Sequence, residues 1–161
     1  MVVGLGPVGM AALMLCRAMG AEKLIGVEMN EYRIKMVQDM GLVDHIVHGV
    51  ERAIDCSASD AGRQTAIRAT RDWGRVVLVG EGNSLTINPS PDMMHAQKTV
   101  YGSWVTSTWR MMELVEHLVR WGIHPGGLIT DEFPLERADE AYALMASGKC
   151  GKVAVVFPEE E

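Results

Sequence analysis

Short β-branched runs alternate with helical patterns along the whole chain, and this alternation limits the fold more than any other feature. Met1-Val2-Val3 is a stub of strand. Leu24-Ile25-Gly26-Val27, Ala53-Ile54-Asp55-Cys56, residues 75–80 (RVVLVG), Leu85-Thr86-Ile87, residues 99–104 and residues 153–157 read as further strands. Helical spacing runs over residues 7–20, from a cap at Asn30 to about Met40, from a cap at Asp60 to near Trp73-Gly74, and over residues 110–121 and 135–146. Gly41 and Gly148 supply stops. Residues 7–20 carry small and apolar side chains all round, which predicts a helix buried on every face. Met111, Leu114, Val115, Leu118 and Val119 share one side of the 110–121 helix. Strands alternating with helices build βαβ units, and parallel strands buried on both faces read as continuous apolar runs. The expected fold class is therefore α/β, a doubly wound parallel sheet with helices on both faces.

The chain has 161 residues, the length of one domain, and no internal repeat or low-complexity linker divides it. Fifteen basic against twenty-one acidic residues give a net charge of −6, so there is no electrostatic footprint for nucleic acid. Cys16, Cys56 and Cys150 are odd in number and far apart, which gives neither a disulfide framework nor a zinc knuckle. A reducing, cytoplasmic setting fits them. The apolar run of residues 5–16 has no basic stretch before it and is broken by Gly6, Pro7 and Gly9. It is shorter than the ~20 residues needed to cross a bilayer, so neither a targeting segment nor a membrane partner is expected. Most of the twelve methionines sit in helical patterns as adaptable core filler.

Gly4-Leu5-Gly6-Pro7-Val8-Gly9 fits GxGxxG, with a strand before it and a helix straight after. The first glycine makes the tight turn, the second lets backbone approach a pyrophosphate, and the third lets the helix pack on the strand. Helix N–H groups and the helix dipole then face the phosphates. Glu28 ends the next strand, 19 residues past Gly9 (28 − 9). A carboxylate ~20 residues on, at the end of a strand, accepts the hydroxyls of an adenosine ribose and repels a 2′-phosphate, so NAD is expected rather than NADP. Arg33 can reach either a ribose or a 2′-phosphate. The plainer alternatives are a glycine-rich turn without a ligand, a solvated glutamate and an ordinary surface arginine.

Together with that loop, Ile54-Asp55-Cys56-Ser57, Arg75-Val76-Val77-Leu78-Val79-Gly80, Phe133-Pro134-Leu135-Glu136-Arg137-Ala138, Ala141 and Ser147-Gly148-Lys149 follow in order. Over nearly its whole length the chain resembles the Rossmann-like cofactor-binding domain of the medium-chain dehydrogenases, the zinc-type alcohol and polyol dehydrogenases. The resemblance implies roles. Gly4, Gly6, Pro7, Val8 and Gly9 lie at the pyrophosphate, and Glu28 with Arg33 holds the adenosine ribose. Cys56 and Ser57 flank the adenine, and Val79, Gly80 and Glu81 lie beside the nicotinamide ribose. Gly102, Ser103 and Trp104 meet the carboxamide, and Lys152 falls where the family often has a basic residue near the phosphates. An isolated surface lysine explains Lys152 as simply.

The resemblance further implies an NAD(H)-binding domain of an oxidoreductase that moves hydride between NAD and a secondary alcohol or polyol. Residues 1–161 form one such domain, with the catalytic zinc domain absent. Zinc is a cofactor of that domain only, and no catalytic or metal-ligating residue is assigned here. The histidines (His45, His48, His95, His117, His124) are scattered, and only His45 and His48, beside Asp44, are close in sequence. Whether this chain turns over substrate alone is open. A stand-alone nucleotide-binding or regulatory module is the alternative from another class. A single-domain short-chain enzyme would need Tyr-xxx-Lys, whereas Tyr32-Arg33-Ile34-Lys35 has the wrong spacing. Such dehydrogenases commonly pair through an edge strand, and Leu85-Thr86-Ile87-Asn88 with residues 99–104 match that edge, so a homodimer is expected.

One departure concerns length. The family carries another strand–helix unit between the Met40 helix and Ala53, where Gly41 to Val50 offers only ten residues. In sheet order 3-2-1-4-5-6 the third and fourth strands lie three positions apart, ~14 Å at ~4.8 Å per step. If Asp44 to His48 formed the third strand, the four residues 49–52 would span at most ~14 Å with the full strand length still to return. Both strands cannot form. Either the third strand and its crossover helix are lost, or a segment of a longer parent is missing from this sequence.

Overall fold

In the computed structural model the described residues are 1–44 and 50–157. The chain runs β1 (Val2–Val3), α1 (Pro7–Ala18), β2 (Gly26–Val27), α2 (Glu31–Asp39), β3 (Val50–Asp55), α3 (Asp60–Ala69), β4 (Thr70–Leu78), β5 (Thr99–Gly102), α4 (Thr108–Trp121), β6 (Ile129–Pro134), α5 (Ala138–Ser147) and β7 (Lys152–Val156). A five-stranded sheet has the order β2-β1-β3-β4-β5, with every pair parallel. A separate parallel pair, β6 and β7, follows, with α5 packed on it.

Successive strand residues point to opposite faces, and here both faces are covered. Val2 joins Leu5, Met10, Leu13, Leu24 and Val37 in a core shared with α1 and α2. Val3 joins Ile25, Val50, Ala53, Ile67 and Val76 in a second core shared with α3. This is the doubly wound α/β arrangement that the alternating pattern predicts.

Where the structure differs from that pattern, local contacts explain the difference. α1 is not buried on every face: Gly9, Met10 and Leu13 turn inward, while Val8 is exposed. α3 is capped by Ser59, whose hydroxyl accepts from the Gly62 N–H, rather than by Asp60. It ends at Ala69 instead of near Trp73-Gly74. Val50 pairs with Thr70 and Arg52 with Arg75, so residues 71–74 bulge out of β4. Trp73 takes φ +61° there, which no right-handed helix contains. Leu85-Thr86-Ile87 is not a strand. The Thr86 N–H donates to Asp60 Oδ1, and the alternation arises because Leu85 and Ile87 pack on the α3-side core. β6 escapes the sequence reading because its residues 130–132, Thr-Asp-Glu, are polar.

Among the described residues nothing pairs as a strand beyond β2, so β2 ends the sheet. The Asp44 N–H donates to Leu24 O, and Asp44 Oδ2 accepts from the Leu24 N–H and from Arg17. The rest of the strand considered at Asp44 to His48 lies outside the described residues.

Leu13 is fully enclosed between α1 and the sheet. Leu13→Ala should cost ~2–5 kcal/mol by lost transfer energy plus cavity, read as a lower urea midpoint with unchanged slope. A loss within ~0.5 kcal/mol, the range of surface substitutions, would count against this core.

Candidate functional site

The five parallel strands send their carboxyl ends to one edge of the sheet. There lie the glycine loop after β1, Glu28 after β2, Cys56 and Ser57 after β3, Val79, Gly80 and Glu81 after β4, and Gly102, Ser103 and Trp104 closing β5. The order in which strands are added reverses at β1, which has β2 on one side and β3 on the other. Such a switch point opens the crevice where ligands bind in open α/β sheets. Lys152 opens β7 in the second sheet and is exposed.

The three glycines divide the work of the loop. Gly4 takes φ +85°, and a Cβ there would come within 2.6 Å of the Ser57 backbone. At Gly9 a Cβ would run into the carbonyl oxygen of Gly4. Beside Gly6 the nearest atoms are the Arg33 guanidinium, 3.6 Å from a Cβ, so this stretch faces open room. α2, α3 and α4 begin under side-chain caps, Asn30, Ser59 and Ser107. α1 begins at Gly6 with no side-chain cap and no acidic residue in its first turn. Its amino end therefore keeps the free N–H groups and positive dipole that suit a phosphate.

Glu28 faces this loop. Its Oε2 accepts from the Leu5 N–H at 2.8 Å, and Oε1 accepts from the N–H groups of Met29 and Asn30. Partial burial alone would raise its pKa, but the three backbone donors outweigh it and, with Arg33 3.9 Å away, hold the carboxyl below the ordinary glutamate range. Asn30 also reaches Gly148 O, and Gly148 lies against Arg33, so the turn after α5 closes the outer side of this corner.

Across β1, Ser57 Oγ donates to the fully buried Asp55, and Asp55 O accepts from the N–H groups of Val79 and Gly80. Asp55, Arg63 and Asn30 escape the sequence reading as site residues. A carboxylate inside the apolar run Ala53 to Cys56 was the available signal for Asp55. Burial raises the Cys56 thiol to about 11, which keeps it protonated and unreactive at neutral pH. Trp104 is exposed, and Val105 beside it takes φ +35°. His45 and His48 lie outside the described residues. Among the described ones no group of three or more His, Cys, Asp or Glu is placed to hold a metal ion, and no helix is long and apolar enough to cross a membrane.

The family model for zinc-binding dehydrogenases matches residues 7–120. The chain belongs to that family. It is 45% identical to a zinc-type alcohol dehydrogenase-like protein of Escherichia coli (strain K12), over 99% of this chain and 50% of that protein. It is 32% identical to an L-threonine 3-dehydrogenase of Bacillus licheniformis, over 96% and 50%. The chain thus spans about half the length of the curated relatives it matches. The first alignment runs over 175 positions against 161 residues, so at least 14 positions (175 − 161) of that relative face gaps in this chain. Among solved structures, an alcohol dehydrogenase from Thermus sp. ATN1 superposes with TM-score 0.86 at 21% identity, over 98% of this chain and 50% of that one. An alcohol dehydrogenase of Escherichia coli CFT073, solved with NADH, superposes with TM-score 0.83 at 17% identity, over 94% and 50%. These solved structures share the α/β fold seen here.

A depressed carboxylate pKa contributes stability that is present above its unfolded value and lost as pH falls through the folded one. Glu28→Gln removes that contribution. The difference in urea midpoint between the native chain and Glu28→Gln should therefore shrink as pH falls from about 7 to about 3. A difference constant over that range would contradict the depressed pKa.

Proposed function

We propose that this chain binds NAD(H) and forms the cofactor half of a zinc-type alcohol or polyol dehydrogenase. The observation that carries the reading is the uncapped amino end of α1, reached through Gly4, Gly6 and Gly9, with the ionised Glu28 beside it. Pro7 and Val8 would lie under the pyrophosphate, and Glu28 with Arg33 would hold the adenosine ribose. Cys56 and Ser57, which the resemblance sets against the adenine, follow β3 across β1 from Glu28 and would line the middle of the crevice, between the two nucleotide halves. Val79, Gly80, Glu81, Gly102, Ser103 and Trp104 would serve the nicotinamide half on the far side of β1. The residues present fit this ligand: an anion site, a ribose acceptor and a backbone-lined crevice share one edge.

When bound, the nicotinamide supplies hydride acceptance; this chain's share is to bind and orient it. In the intact protein the hydride would come from an alcohol carbon, as the names of the relatives suggest, with zinc held outside this chain. The three free cysteines support a reducing, cytoplasmic setting. Titrated with reduced cofactor and followed by nicotinamide fluorescence, the chain should bind NADH more tightly than NADPH, because a 2′-phosphate would face the Glu28 carboxylate. Equal or tighter binding of NADPH overturns the assignment.

The same reading includes a homodimer through β5, the terminal strand of the sheet. Leu85-Thr86-Ile87-Asn88 does not form the edge, since it is not a strand and Thr86 N–H is engaged by Asp60. Ser103 N–H bonds Leu78 O, so by strand alternation Val100 and Gly102 point their N–H groups outward. An unpaired edge invites a second copy, and a two-fold pair closes the contact. Light scattering at micromolar concentration should give twice the 17.6 kDa chain mass, and Val100→Pro should halve it while NADH binding persists. A native chain that stays at 17.6 kDa on concentration overturns the dimer.

A further inference from the structure

Arg63 is placed on α3, behind the crevice, and it is nearly buried. Its guanidinium is spread over three backbone carbonyls: Nη2 donates to Gly80 O at 2.7 Å, and Nη1 donates to Asn83 O at 2.8 Å and Ser84 O at 3.0 Å. Its Nε lies 3.6 Å from Asp55 Oδ2, a carboxylate with no exposure, and neither of those two atoms has a hydrogen-bond partner. Asp55 in turn holds Ser57 through its side chain and Val79 and Gly80 through its carbonyl. Asn83 Nδ2 stitches the same loop to Ala58 O. One buried ion pair thereby ties together the segments that follow β3 and β4.

We propose that Arg63 is a positioning residue for the second nucleotide half, holding residues 80–84 in the shape that receives the nicotinamide side. This rests on the dinucleotide reading above. Glu28 marks the adenosine half at the end of β2, and β3 and β4 lie across β1 from it. A dinucleotide laid over the switch point therefore sets its other half against the loops Arg63 holds. The role demands arginine. Its planar fork reaches carbonyls on two sides of the group at once, whereas an ammonium is a single point of charge. Gly82 at φ +93° and Asn83 at φ +56° form a turn that is open beside Gly82, and the guanidinium holds it through the carbonyls of Asn83 and Ser84.

The test is Arg63→Lys, which keeps a cation beside Asp55 but not the fork, with folding checked by a cooperative urea transition. ADP, measured by calorimetry, reads the adenosine half and its phosphates. NADH, measured by fluorescence, reads the nicotinamide half as well. The variant should bind ADP within about twofold of the native chain. Its NADH dissociation constant should rise about tenfold or more, with the nicotinamide emission change lost, since small misplacements of a positioning loop cost large factors. A merely structural arginine would weaken both ligands equally, and that result, or unchanged NADH binding, overturns the proposal. If Arg63→Lys does not fold, Asn83→Gly loosens the same loop from the surface and should give the same selective loss in smaller measure; an equal loss for both ligands, or none, overturns it. A native chain that binds neither ADP nor NADH removes the dinucleotide reading and this role with it. Selective failure on Arg63 alone leaves that reading standing.

Discussion

The contact of the Gly9 backbone with the carbonyl of Gly4 is the constraint on which the rest of the arrangement depends. β1 has only two residues, yet it is an interior strand, pairing with β2 on one side and β3 on the other. Its length is set by the turn that follows, which brings α1 back over the sheet so closely that a single Cβ at position 9 cannot fit. This approach lets Met10 and Leu13 reach the core beside Val2. It also aims the first turn of α1 along the carboxyl edge rather than into a neighbour. Packing and ligand geometry thus share one cause, and a side chain at either glycine would disturb both.

Glu28 is coupled to that turn. An ionised carboxylate offers about four lone-pair sites. Three are taken by the N–H groups of Leu5, Met29 and Asn30. The carboxylate therefore shapes the glycine loop and the start of α2, and roughly one acceptor site remains free. Arg33, 3.9 Å away, tempers the negative charge without forming a close pair. The arrangement suits a neutral diol and opposes a second anion.

The alternation of apolar runs made the fold legible, because a parallel strand buried on both faces has no polar face to obscure the run. The outer glycines of the loop were legible for a similar reason: Gly4 and Gly9 each answer to a steric demand that other residues fail, whereas Gly6 faces room. Legibility failed where backbone groups are the partners. Arg63 spends its donors on the carbonyls of Gly80, Asn83 and Ser84, which leave no mark in the sequence. Leu85 and Ile87 alternate as a strand would, yet they only cover the α3-side core. The end of α3 was misplaced because residues 70–74 lack a proline, and the bulge that takes them out of register is set by contacts with Glu51 and Ala96.

The shortened segment after α2 also has a geometric explanation. Asp44 is tied to Leu24, which precedes β2, and so sits at the amino side of the sheet. β3 begins at Val50, also on the amino side, since Ile54 rather than Val50 is the residue that pairs with Val2. From the β2 position to the β3 position is two strand spacings, ~10 Å. Six residue steps, from Asp44 to Val50, reach ~20 Å. Both described ends of this segment, Asp44 and Val50, therefore lie on the amino side of the sheet within that reach, and among the described residues β2, which Glu28 follows, is the outermost strand.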